Sequence, residues 1–365
     1  MDPLTHTFVG ASLAQTRFGR VRLGTATVVI GANLPDVDAA TYFLDNQLSL
    51  GFRRGWTHGV LALAVLPALL GWIMHQFDLW RCRRDPTATP VSQGRLLALA
   101  YVSVLTHPAL DWLNTYGVRL LMPFDGRWFY GDTLFIIDPW VWLLLGTVTV
   151  LAHSGSPARL AGWIALGALS TVLVTGFPGM PMTVRVLWCL GLAGIAWLRI
   201  WGGVQHRLHR VASVCLLLGG LYVAGMIVGS RVTQQQVAAW AHARGFEPRR
   251  IMVGPVPADP WRRDVLVVDD LHYHRVRVDW LAADPITPVG LQAQIGDDHP
   301  AAAAALAAPE LWGFATWTRF PRFDVVSQGD GYRVSVSDMR GLGGGVIELD
   351  RELRPMASRP NAPRP

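Results

Sequence analysis

Long apolar runs alternate with short polar breaks over the first 230 residues, and a different rhythm takes over after them. Full-length apolar segments fall at about 58–77, 95–113, 134–152, 158–176, 183–201 and 211–229. Runs of roughly 17–20 residues are long enough to cross a bilayer as helices. Two shorter segments precede them, at 3–18 and 23–34, the first polar-tinged and the second rich in Gly. Segments this short cross only part of a bilayer, or need shelter from neighbours. A mixed loop is expected from there to residue 56. From residue 231 the pattern turns to period two: Val265–Asp269, Val276–Trp280, Tyr332–Val336 and Val346–Leu349 alternate apolar and polar side chains, with Gly and Pro between them. That predicts a small β-rich domain. Residues 231–245 and the Ala-rich 301–308 predict short helices, and the Pro- and Arg-rich end a disordered tail.

The fold class that follows is an all-α polytopic membrane bundle of about eight hydrophobic segments with a small C-terminal β-rich domain. The expected division is 1–150 for a first membrane-embedded domain, 151–230 for additional membrane helices, 231–354 for an extracytoplasmic β-rich domain and 355–365 for the tail.

Composition sharpens this. The chain has 365 residues, 51% hydrophobic and 16% charged, where a soluble protein carries about a quarter charged. Its net charge is +6 and every basic side chain is Arg. The Arg residues cluster between segments, so they read as a topology signal and not as a nucleic-acid footprint. The three Cys, at 82, 189 and 215, have no CxxC spacing, which argues against a disulfide framework or a thiolate zinc site. The start carries no basic region of the kind a cleavable signal has. Arg clusters at 17–22, 81–95, 159 and 199–210 are expected on the cytoplasmic side. Threading the segments alternately then puts both the N-terminus and the β-rich domain outside.

This threading gathers the unusual polar residues at one face. His6 falls at the outer end of the first segment, and Asp36 and Asp38 at the outer end of the second. His58 opens the third, His107 and Asp111 close the fourth, and Asp132 and Asp138 begin the fifth. His107 and Asp111 stand four residues apart, a spacing that puts both on one face of a helix. Each residue has a plainer reading: His6 as a solvated terminus, Asp36 or Asp138 as a helix cap, His58 likewise, Arg53 and Arg54 as interfacial anchors. Their common sidedness favours a joint role. Carboxylates gathered at a membrane face repel one another and need a cation, and a divalent metal would also use the imidazoles. Three His and three Asp are more than one tetrahedral zinc needs. They suit a pair of ions ~3.5–4 Å apart, an arrangement that activates water and clamps a phosphoryl group. Arg54 and Asn114 would then hold a phosphoryl oxygen.

The residues that carry this reading resemble a known family. His6, Asn33–Asp38, Arg53–Gly59, Thr106–Asp111 with Asn114–Gly117, Pro123-Phe124, Arg127–Asp132 and Ile137–Trp140 are similar to the YdjM-like inner-membrane metal-dependent hydrolases. The resemblance covers about residues 1–150. It implies a hydrolase of the bacterial cytoplasmic membrane whose ligands would be His6, Asp36, Asp38, His58, His107 and Asp111. The implied cofactor is one or two divalent ions, zinc first and manganese or magnesium as alternatives. The pattern is also similar, at a distance, to zinc-dependent phospholipases C. Two positions depart from the family: Arg53, where His precedes Arg-Gly, and Gly59, where Ser often follows the His. The expected function is hydrolysis of a phosphoester or lipid-linked substrate at the outer face, with Arg54, Asn114 and Asp132 positioning it and membrane lipids as partners. Two rivals stand beside it. A transporter would carry polar groups through the full membrane depth and show repeat symmetry. A non-catalytic protein would use the metal as a staple and the tail domain to bind a partner.

Overall fold

The computed structural model describes residues 1–85, 87–178, 180–341 and 343–356. The tail predicted to be disordered lies almost wholly outside the described residues. Helix α1 (Pro3–Gln15) starts where Asp2 accepts hydrogen bonds from the Leu4 and Thr5 amides, with Pro at the first helical position. Helix α2 (Gly24–Asn33) lies beside it and leads into a 3₁₀ segment, Leu34–Phe43. A short helix, α3 (Asn46–Phe52), follows, capped by Asp45. The sequence pattern predicts a loop over this stretch, because 3₁₀ turns and a seven-residue helix carry too few periods to register.

Helices α4 (Val60–Cys82) and α5 (Gln93–Trp112) form an antiparallel pair, and α5 also packs on α2. That last contact is close: a Cβ on Gly31 of α2 would sit 2.1 Å from Ser103 Oγ of α5. Helix α6 (Pro139–His153) begins at Asp138, whose carboxylate accepts from the Trp140 and Val141 amides. Helices α7 (Pro157–Gly176), α8 (Met182–Trp201) and α9 (Leu208–His242) complete the helical part. Phe8, Trp142, Leu145 and Trp188 form one core between α1, α6 and α8; Leu70, Met74, Leu96 and Val104 form another between α4 and α5.

Among the described residues, four helices are long and apolar enough to cross a membrane: α4, α7, α8 and α9. The chain is therefore a multi-pass membrane protein, but eight full crossings are not found. Helix α6 has 15 residues, and α1 and α2 have 13 and 10. Helices α7 and α8 expose Ile164, Val172, Leu190 and Ile200 outward, which suits hydrocarbon and not water.

At 35 residues α9 is roughly 52 Å long, well beyond a ~30 Å hydrocarbon layer. The helix expected separately at 231–245 is its continuation, since no Gly or Pro breaks the run from Ser230 to His242. Its last turns place Val237 in the core of the first sheet with Val253, Val265, Val276 and Val278. That sheet has the order β1 (Arg250–Val256), β2 (Asp259–Val268), β3 (His272–Asp279), β4 (Ile286–Pro288), all antiparallel, and β5 (Ala293–Gln294) also pairs with β3. Helices α10 (Pro300–Leu306) and α11 (Trp312–Trp317) precede a three-stranded meander, β6 (Pro321–Gln328), β7 (Gly331–Asp338) and β8 (Gly344–Asp350). The predicted C-terminal β-rich domain is present. The alternation read in the sequence is visible in β3, where Tyr273, Val276 and Val278 are buried.

The tail domain is docked on the helical part. Trp312 covers Gly51 of α3, and Gln47 accepts from the Phe314 amide. Arg319 makes a two-pronged contact with Asp132, 2.8 and 2.9 Å, and Arg340 donates to the Thr115 carbonyl at 2.9 Å.

Candidate metal centre

Four pieces of chain converge beside this docking surface. The first turn of α1 brings His6, the 3₁₀ segment brings Asp36 and Asp38, the turn before α4 brings Arg53 to His58, and the last turn of α5 brings His107 and Asp111. One ligand atom from each of Asp36, His58, His107 and Asp111 lies within 4.8 Å of the others.

The imidazoles are held in defined tautomers. His107 Nδ1 donates to the Ala32 carbonyl at 2.7 Å, which leaves Nε2 as a lone pair. Thr57 Oγ1 donates to Asp38 Oδ2 at 2.8 Å and stands 2.9 Å from His58 Nδ1, so it accepts that N–H. His58 Nε2 is then also a lone pair, and it faces His107 Nε2 at 3.1 Å. Asp111 Oδ2 is 3.3 Å from the first and 3.5 Å from the second. Asp36 Oδ1 is 3.8 and 3.6 Å from them. These two carboxylate oxygens are buried and have no hydrogen-bond partner. Four acceptors with no donor among them repel one another unless a cation lies between. Ligands bonded at ~2.0–2.1 Å around a tetrahedral ion stand about 3.3–3.4 Å apart, close to this spacing. The donor set fits one divalent ion.

His6 and Asp38, the other two sequence candidates, touch this group without belonging to it. His6 Nε2 lies 3.3 Å from Asp111 Oδ1, and its ring stacks on His107 at 3.7 Å. Both its nitrogens are buried and unpartnered. Asp38 accepts from the Arg54 amide and from Thr57, so it anchors the turn that carries His58.

Arg54 and Asn114 also sit at the centre. Arg54 is ion-paired with Asp111 Oδ1 at 3.0 Å and donates to Asn114 Oδ1 at 3.0 Å, and the Asn114 amide nitrogen is buried without a partner. Arg54 holds the left-handed region, φ 53°, which costs energy for a non-glycine residue. The Met1 amino group also contacts Asp111 Oδ1. Asp132 is placed differently: its carboxylate is taken by Arg319 of the tail domain, and it is not in the four-residue group.

Three residues at the site are not among the candidates that the sequence offers for it. Thr57 completes the relay from His58 to Asp38. Arg53 is buried, reaching Asp36 at 3.6 Å and Asp38 at 3.7 Å, so it is no lipid anchor. Arg119 donates to the Gly51 carbonyl at 2.6 Å and braces the turn from 51 to 55. A charge inside the apolar run Val118–Met122 was the signal for it. Gly59 also has its reason: a Cβ there would fall 2.2 Å from the Met122 carbonyl oxygen, so this chain has no room for the family's Ser.

Comparison with known proteins agrees with the region of the site. Over 132 residues the chain is 24% identical to "Uncharacterized protein YfhP" of Bacillus subtilis (strain 168), covering 35% of this chain and 36% of that one. The chain thus spans about a third of the length of that relative. No solved structure matches. The model of the YdjM inner membrane protein family matches residues 1–182, which include every residue of the centre. The chain, through these 182 residues, belongs to the YdjM inner membrane protein family.

Proposed function

We propose that this protein is a divalent-metal-dependent hydrolase that cleaves a phosphoester at the outer face of the bacterial cytoplasmic membrane. The observation that carries the reading is the pair of imidazole lone pairs 3.1 Å apart, flanked by two buried, unpartnered carboxylate oxygens. Asp36, His58, His107 and Asp111 would hold the ion. When bound, a divalent ion supplies Lewis-acid polarisation of a phosphoryl oxygen and acidifies water.

The chain's own residues supply the rest. The Ala32 carbonyl and the Thr57–Asp38 pair keep both Nε2 atoms aimed inward. Arg54 and the free Asn114 amide place three or more donors beside Asp111, where a phosphoryl oxygen would be held. Arg54 already neutralises Asp111 Oδ1, which favours one ion over a bridged pair. Asp132 acts through docking of the tail domain and not on substrate. The His6 ring, stacked on His107, would cover that side of the ligand group.

The test is elemental analysis of purified protein with and without His107→Ala, followed by turnover of phosphodiester and phosphomonoester substrates. One zinc or manganese per chain, lost in the variant together with turnover, is the expected result. Metal-free protein from metal-replete medium sinks the reading. The ligands come from three separate elements, which also suits a staple that only ties helices together. Bound metal without turnover on the whole panel would leave that second reading standing.

A further inference from the structure

We infer that the substrate is a membrane phospholipid, one acyl chain of which lies in an apolar groove running beside the ligand helices. This rests on the hydrolase reading above and names its substrate class.

The groove holds about 390 Å³ and lies between α1, α5, α6 and α9. Thr5, Thr106, Leu110 and Trp112 line it, and each is the immediate chain neighbour of His6, His107 or Asp111. The groove is therefore the other side of the turns that carry the centre. Its far wall is Gly219 and Gly220 of α9, where a Cβ would meet no atom within 4 Å. Helix α9 is one of the four helices that can cross a membrane, so this wall lies at bilayer depth. Hydrocarbon is the material that fills an apolar cleft there. A second groove of about 390 Å³, between α6, α7 and α8, includes no immediate neighbour of a ligand, so a lipid there would be only a solvating one.

The two ends of a phospholipid match the two ends of this site. Arg54 and the unpartnered Asn114 amide donate where a phosphate would sit. The segments that carry the ligands also expose large apolar side chains. Val37 stands between Asp36 and Asp38, Trp56 two residues before His58, Phe43 is 91% exposed and Phe124 79%. In water such a cluster is a liability, whereas at the boundary of headgroups and acyl chains it is an anchor. Of the four ligands only Asp36 is not fully buried, and its own segment carries two of these anchors, Val37 and Phe43. In the reaction the water oxygen bonds to phosphorus as the P–O ester bond breaks. One water proton goes to the leaving alkoxide and the other to solvent, giving an alcohol and a phosphomonoester.

The experiment uses the full chain in vesicles of phosphatidylethanolamine and phosphatidylglycerol, with some phosphatidylglycerol bearing a diazirine at the end of one acyl chain. Irradiation is expected to label peptides spanning 106–113 and 216–223. Gly220→Leu, which fills the groove from α9, and Ala109→Leu, which fills it from α5, should each reduce that labelling at least tenfold. Both should keep the metal and the turnover of a short, water-soluble phosphodiester, while turnover of the long-chain lipid falls at least tenfold. Labelling spread over α7 and α8 and unmoved by either variant overturns the groove. Turnover of the soluble ester without turnover of the lipid overturns the inference and leaves the hydrolase reading intact. No turnover of either ester, with metal bound, overturns both.

Discussion

Asp36 and Asp38 sit two residues apart and do different work. Asp36 Oδ1 faces the two imidazoles at 3.6 and 3.8 Å, whereas Asp38 turns its Oδ2 to Thr57 and the Arg54 amide and its Oδ1 to Arg53 at 3.7 Å. Removing a direct ligand and removing an orienting group have different consequences. Asp36→Ala should abolish stoichiometric metal. Asp38→Asn should weaken metal affinity about 10–100-fold while the ion can still be loaded. A chelator-competition titration of the two variants separates the roles, and equal loss in both contradicts the division. Arg54 belongs to a third class. Arg54→Ala leaves all four ligand residues in place but removes the donor to Asp111 and Asn114, so turnover should fall by about 10²–10³ with metal content kept. A drop in metal content matching the drop in rate would instead make Arg54 a structural counter-charge. The sequence pointed to the six His and Asp residues but could not rank them. Side chains that bond an ion and side chains that orient the ligands are the same chemical types, and they differ only in where Thr57 and Ala32 stand.

At the scale of elements, the apolar runs and the (i, i+4) pair were legible because both follow helical periodicity. His107 and Asp111 are indeed buried on the last turn of α5. The 3₁₀ segment and α3 were not legible, being shorter than the pattern that would announce them. Nor was the docking of the tail, which depends on pairs such as Arg319 with Asp132, 187 residues apart. That pair is mostly buried, so breaking one side leaves an uncompensated charge. Arg319→Ala should lower the stability of docking by about 3–5 kcal/mol. Limited proteolysis in detergent should then cut between the tail and the helical part sooner, with metal content unchanged. Asp338 adds an acid-sensitive element to the same surface. Burial works to raise its carboxyl, but Arg340 and the amides of Arg340 and Arg319 prevail and hold it at about 2. Its unfolded value is about 3.9, so folding binds the ionised form more strongly. The stabilisation is complete above about pH 5 and is lost as pH falls toward 2, roughly 2–3 kcal/mol in all. Thermal unfolding of Arg340→Ala should be less stable at neutral pH and lose less between pH 5 and 3 than the parent chain.

For the whole molecule, the arrangement has two unlike ends. One end carries the candidate centre and the tail domain. The other holds Arg22 paired with Asp78 at 2.6 Å, with Cys82 beside it, and Arg95 reaching the Arg17 carbonyl. Helices α7 and α8 between these ends carry almost no ionisable side chains, which suits an anchor better than an ion path. If basic loops stay in the cytoplasm, the Arg-rich end faces inward and the centre faces outward. Orientation therefore decides which leaflet the candidate centre faces. Single cysteines in a chain freed of Cys82, Cys189 and Cys215 provide the measurement, one at Arg83 in the loop after α4 and one at Arg322 on β6. In intact spheroplasts a membrane-impermeant maleimide should label the Arg322 position and leave the Arg83 position unlabelled until the membrane is opened. The opposite pattern would turn the centre toward the cytoplasm. Its chemistry would survive, since the ligand geometry does not depend on which way the bundle points, but its substrates would then come from the inner leaflet.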